Sequence, residues 1–161
     1  MNQENSQFLF CIKCNGALNL EILNESSEVN EGFLNCKNCK MKFPIISKIP
    51  LILENLSQFL ENRPSLGGFL LKSSVTPSMK QFIKQIMSKI KKNDNDFFLT
   101  EKRWTNTYLR NQNSLFYKTI KYHLAKISKK SFVIEYGSSI GIISNTLGKK
   151  HEHVFGIDTS F

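Results

Sequence analysis

At 161 residues the chain has room for one ordinary domain or two small ones, and 40% hydrophobic residues is too many for a disordered chain. No apolar run approaches the roughly 20 residues that span a bilayer, and Met1-Asn2-Gln3-Glu4-Asn5 lacks the basic flank and apolar stretch of a signal peptide. A cytoplasmic protein with no membrane partner is expected. The net charge of +9 is unevenly placed, with −2 over residues 1–62, +12 over 63–130 and −1 over 131–161. Such a basic middle segment suits RNA or another polyanion, or simply a set of solvated helix faces.

The first element in chain order is a metal module. All four cysteines fall into two pairs, Cys11-Ile12-Lys13-Cys14 and Cys36-Lys37-Asn38-Cys39, separated by 21 residues. Each Cys-x-x-Cys turn aims two sulfurs at one point, and Zn²⁺ takes four thiolates tetrahedrally with no position left for water. Such a closed site is structural rather than catalytic. Gly16 follows the first pair, where a residue free to adopt positive φ is expected. Ala17-Leu18-Asn19-Leu20-Glu21-Ile22 alternates apolar and polar residues as a half-exposed strand does. Phe33-Leu34 leads into the second pair, and two short strands interrupted by prolines follow, Met41-Lys42-Phe43-Pro44-Ile45-Ile46 and Ile49-Pro50-Leu51-Ile52-Leu53.

Cys-x-x-Cys-x-Gly-x-Leu, then Cys-x-x-Cys, then Phe-Pro-Ile and Ile-Pro, resembles the zinc-ribbon family typified by the activator subunit of tRNA and protein methyltransferases. The resemblance covers residues 8–54. Ile12 and Lys40 stand where that family often has Pro and Gly. It implies a module that accompanies a methyltransferase, by interaction rather than by chemistry, and a translation-related partner.

Arg63-Pro64-Ser65-Leu66-Gly67-Gly68 has the breaker residues of a linker. Thr76 and Pro77 then fit the N-cap and first position of a helix, with Met79, Phe82, Ile83, Ile86 and Ile90 on one face down to residue 92. Asn93-Asp94-Asn95-Asp96 breaks that pattern. Further helices are expected over residues 100–110 and 114–129, the latter with Phe116, Ile120, His123 or Leu124, and Ile127 on one side. Trp104, Tyr108 and Tyr117 fit helix-core aromatics, with base stacking as the alternative. His123 fits a packed or solvated residue, and His151 with His153 makes a poor metal site for want of a third ligand.

The last segment changes character. Ser131-Phe132-Val133-Ile134-Glu135-Tyr136 is a β-branched, apolar run, Gly137-Ser138-Ser139-Ile140-Gly141 a small-residue turn, and Ile142-Ile143-Ser144-Asn145-Thr146-Leu147 a helix ended by Gly148. His153-Val154-Phe155-Gly156-Ile157-Asp158 is a second strand that ends in a carboxylate. This order is a βαβ unit. Ser139 and Ile142 occupy the second and third positions of a Gly-x-Gly-x-x-Gly fingerprint, which argues against a bound pyrophosphate. The pattern Glu-x-Gly-x-x-x-Gly, with Asp158 21 residues after Gly137, resembles motif I and the following acidic residue of class I S-adenosylmethionine-dependent methyltransferases.

That resemblance spans residues 115–161. It implies a cofactor site made by Glu135, Gly137, Ser138, Ser139, Gly141 and Asp158, with Asp158 on the ribose hydroxyls and Glu135 near the cationic methionine end. Ser139 replaces the family's middle glycine, and Glu135 its usual Asp.

The expectation is an α/β chain, α+β overall. A small β zinc ribbon occupies residues 1–62 and a basic helical connector 63–112. Residues 113–161 hold the first βαβ unit of an incomplete Rossmann-like methyltransferase sheet. The expected function is that of a methyltransferase with a fused ribbon, present as an N-terminal fragment, using S-adenosylmethionine and a structural zinc. Its methyl acceptor is of unknown class, and the catalytic residues are expected beyond Phe161. The alternative is a non-catalytic zinc-ribbon adaptor or RNA-binding protein.

Overall fold

Alternation between apolar and polar residues places the first strand where the sequence predicts it, and the computed structural model, which describes residues 1–91 and 95–159, extends it into a sheet. β1 (Leu18–Glu25), β2 (Val29–Cys36), β3 (Lys42–Ile46) and β4 (Ile49–Pro50) pair antiparallel in sequence order. β2 begins four residues before Phe33 and has no exposed residue. Cys11, Val29, Leu34, Cys36, Phe43 and Ile45 pack as one core cluster beside the cysteine pairs.

Three helices follow in the same compact unit, Met1–Asp96. They are α1 (Leu56–Glu61), α2 (Pro64–Ser73) and α3 (Pro77–Met87). The residues expected as a linker form the first turn and a half of α2. Pro64 sits at the helix start, where its missing N–H has no intrahelical partner to lose. Gly67 is buried against Met87 of α3, whose sulfur would stand 2.1 Å from a Cβ at that position, so the close approach requires glycine. Both residues that look like breakers therefore serve a helix.

α3 starts as expected, with Thr76 Oγ1 accepting the Met79 N–H at 3.3 Å. Met79 and Ile83 are fully buried, and Phe82 meets Phe33 of β2 edge-to-face at 5.0 Å. α3 ends at Met87, short of the expected end at Lys92, because the Lys89 and Ile90 N–H groups close three-residue turns onto the Ile86 and Met87 carbonyls at 3.0 and 3.3 Å. Lys92 itself and the break at Asn93 and Asp94 lie outside the described residues. A second tie joins sheet to helix: Glu31 of β2 is completely buried, and its carboxylate accepts the N–H groups of Val75 and Thr76 at the start of α3. The first helices of the basic segment after residue 62 thus lie in one compact unit with the ribbon, tied to it through Phe82 and Glu31.

The second unit, Phe97–Phe161, contains α4 (Phe97–Asn111), α5 (Leu115–Leu124), β5 (Phe132–Tyr136), α6 (Ile142–Gly148) and β6 (His153–Ile157). β5 and β6 pair in parallel, from Phe132 beside His153 to Tyr136 beside Ile157. α5 is five residues shorter at its C-terminal end than its periodicity predicts, and it buries no residue; Phe116, expected on its inner face, is exposed. Among the described residues, no helix is long and apolar enough to cross a membrane.

Candidate functional site

The four cysteines meet. Cys11 and Cys14 lie on the turn before β1, Cys36 ends β2, and Cys39 lies on the turn into β3. Their sulfurs all lie within 4.8 Å of one another, with Cys11–Cys39 and Cys14–Cys36 each at 3.4 Å. A disulfide needs about 2.05 Å, whereas a tetrahedron of bonds of about 2.3 Å sets sulfurs roughly 3.8 Å apart. The cluster therefore fits a structural metal such as zinc.

The two turns share one backbone design. The Cys11 N–H donates to the Gly16 carbonyl at 2.9 Å, and the Cys36 N–H donates to the Met41 carbonyl at 2.8 Å. The left-handed residue of each turn directly follows its second cysteine: Asn15 at φ 54° and Lys40 at φ 62°. Gly16 is needed for space instead, since a Cβ there would lie 2.8 Å from the Asn38 amide and 3.2 Å from the Cys14 sulfur.

Electrostatics divide the thiols. The Cys39 N–H, partly offset by burial and helped by the Asn38 N–H and the Cys14 and Cys39 thiols, holds Cys36 down to about 6. At Cys39 the Met41 N–H pulls downward. Burial and the hydrogen bonds with Cys11, Cys14 and Cys36 outweigh it and push the thiol up to about 12. The turn N–H groups stabilise one negative charge, and a second beside it is resisted. A dication removes that resistance, because it compensates several thiolates at once.

The second site is built on the turn between β5 and α6. Gly137 and Gly141 both stand at φ 70°, and Ser139 between them at φ 49°. The Ser139 N–H donates to the Asp158 carboxylate at 2.6 Å, closing the turn onto the end of β6. The Gly137 and Ser138 N–H groups both donate to the Ile157 carbonyl, at 2.8 and 3.1 Å. Glu135 turns the other way: its carboxylate accepts the Ser144 N–H at 2.9 Å and the Ser144 hydroxyl, so it holds the first turn of α6. Its part is to fix the helix start against the strand.

Two contributions escaped the sequence reading. Gly156 lies beneath the turn, where a Cβ would meet Ser144 Oγ at 2.7 Å and Ser138 Oγ at 3.0 Å. Its signal was present, a glycine inside a strand, which marks close approach of another segment. The other is α4. With Gly137, Ser139, Ile140 and Asp158, its residues Glu101, Trp104, Thr105 and Tyr108 line a cavity of about 400 Å³. Trp104 was expected in a helix core, yet it is 57% exposed and forms one wall.

No protein-family model and no curated protein matches the chain. Its function is therefore read from the geometry of its two sites.

The histidines stay outside both sites. His151 is buried, with Nδ1 3.1 Å from the Ser128 carbonyl, and His153 stacks on Phe132 at 4.5 Å.

Proposed function

We propose that the chain joins a zinc ribbon to the S-adenosylmethionine-binding βαβ unit of a class I methyltransferase. The single observation behind the cofactor is the convergence of a glycine turn, a strand-end carboxylate and a small-molecule-sized cavity. About 400 Å³ falls in the roughly 300–1,000 Å³ range of ligand pockets. In this reading the turn of Gly137, Ser138, Ser139 and Gly141 admits the cofactor to the backbone. Asp158 accepts the ribose hydroxyls, as an acid at the end of the second strand does in such units. Glu135 acts through Ser144, fixing the turn rather than touching the methionine end. The bound cofactor supplies a methyl group on a sulfonium. The chain contributes binding and orientation, which carry most of the catalysis when a reactive carbon is delivered in line. The ribbon's four thiolates take Zn²⁺ in a closed structural site.

The test is binding of S-adenosylmethionine by calorimetry, with Asp158→Ala and Asp158→Asn. The alanine variant should lose at least tenfold in affinity. Asn keeps an acceptor for the Ser139 N–H but has no charge for two hydroxyls, so it should fall between. Unchanged affinity in both variants would remove the ribose contact from the reading.

A second reading, an adaptor or RNA-binding module, draws on residues 102–130, which hold eight Lys or Arg and no Asp or Glu. Phe116 and Tyr122 are exposed within it, and the Lys126 ammonium sits 4.5 Å from the Tyr122 ring centre. An RNA affinity that falls steeply with salt would favour it; no binding at low salt would dispose of it.

A further inference from the structure

The cavity beside the glycine turn has a chemistry opposite to that of the segment that builds it. Glu101, Trp104, Thr105 and Tyr108 follow at i, i+3, i+4 and i+7, a single stripe along α4. The stripe faces the cavity, while Lys102, Arg103 and Arg110 of the same helix are not among the lining residues. Two carboxylates, Glu101 and Asp158, and two electron-rich rings, Trp104 and Tyr108, therefore share a space whose described lining includes no lysine or arginine. The Thr105 hydroxyl is committed to the Glu101 carbonyl at 3.2 Å, so it adds little. Aromatic faces with a nearby carboxylate attract an organic cation, most strongly one whose charge is spread and weakly hydrated.

We infer that the α4 stripe recognises the sulfonium charge and so makes the site prefer S-adenosylmethionine to its spent, neutral thioether product, S-adenosylhomocysteine. This rests on the cofactor reading above and deepens it. Trp104 and Tyr108 present ring faces to the cation, and the Glu101 carboxylate supplies the opposing charge. Methyl transfer removes the positive charge, so the product loses this attraction and leaves more readily. Asp158 contributes to both ligands alike, because the ribose is unchanged by the reaction. Preference thus resides in α4 and overall affinity in the strand-end acid.

Calorimetric titration of the full, zinc-loaded chain with each compound separates these roles, with protection of β5 amides against hydrogen exchange as the folding control. The native protein should bind the sulfonium compound about tenfold more tightly than the thioether, the size expected for a desolvated cation on aromatic faces. Glu101→Gln and Trp104→Leu should bring the ratio to within about twofold, mainly by weakening the sulfonium compound. Trp104→Phe, which keeps a ring, should retain most of the preference. Equal native affinities, or a ratio unmoved by Glu101→Gln and Trp104→Leu, overturn the inference and leave the cofactor reading standing. Binding of neither compound by the folded native chain overturns the cofactor reading, and the inference with it.

Discussion

In Met1–Asp96 the antiparallel sheet and three helices bury Leu34, Phe43, Ile45, Leu60, Leu66, Leu70, Met79 and Ile83 almost completely. In Phe97–Phe161, Phe98 and Leu147 are the buried hydrophobic side chains among the described residues, while Phe132, Ile134 and Tyr136 project from one face of β5 into solvent. An antiparallel sheet can leave one face wet, whereas parallel strands are normally covered on both. The first unit is thus organised around a core with a metal cluster at its edge. The second is organised around its turn, where the Asp158–Ser139 and Glu135–Ser144 hydrogen bonds replace packing as the ordering device. The two units should accordingly respond to different insults.

The largest difference should come from the metal. Structural zinc in small modules supplies roughly 10–16 kcal/mol at neutral pH. Chelation, or Cys36→Ser, should therefore abolish the slow hydrogen exchange of β2 and β3. Trp104, the single tryptophan, lies in the other unit and should keep its fluorescence. A parallel change in both signals would erase the contrast. The acid dependence has a definite sign. Cys36, held near 6, is already a thiolate at neutral pH, whereas Cys39, near 12, must surrender a proton to bind metal. Zinc affinity should fall as pH falls, and its slope should steepen by one proton below about pH 6, where Cys36 also needs deprotonating. Competition with a chelator of known affinity across pH 5–8 measures that slope.

Glu31→Ala should be next in size. It removes the buried carboxylate that accepts the Val75 and Thr76 N–H groups, and losing two hydrogen bonds to a charged acceptor should cost about 3 kcal/mol. Denaturant unfolding should show the loss in the first unit only, with zinc retained at low denaturant. A loss below about 0.5 kcal/mol, the size of an ordinary surface change, would mean that Glu31 does not join sheet to helix. Gly156→Ala should cost about 1–3 kcal/mol by overpacking, this time in the second unit. The added methyl must displace Ser144, which holds Glu135, or Ser138 in the turn itself. Trp104 fluorescence should report it, and β2 exchange should not.

The legible features were the local ones. Cysteine spacing brings the four sulfurs together because each knuckle is a six-residue device, Cys11 to Gly16 and Cys36 to Met41, that needs little from the rest of the chain. The strand–turn–helix–strand order after residue 130 is likewise written in runs of a few residues. What could not be read depended on long-range neighbours. Nothing in Glu31 itself distinguishes a buried helix anchor from an outward-facing strand residue, since its partners lie 44 and 45 residues away. Pro64 and Gly67 have linker chemistry until Met87 is known to press against α2. Trp104 and Tyr108 sit on a helix whose period is plain but whose facing direction depends on a turn 30 residues later.

The smallest effect should be a gain, and it bears on the turn as an ordering device. Ser139 holds φ 49° between two glycines at φ 70°. A residue with a Cβ pays roughly 1–2 kcal/mol in that region. Ser139→Gly removes this strain but frees the unfolded chain, which costs roughly 0.5–1 kcal/mol in the opposite sense. The net stabilisation should be about 0.5 kcal/mol, seen as slightly slower exchange of the β5 amides. The substitution leaves the Ser139 backbone N–H in place for Asp158, so the turn should stay closed. If Ser139→Gly instead loosens the second unit, the serine side chain is holding the turn in place, and backbone hydrogen bonds alone are insufficient to order a unit with so little buried core.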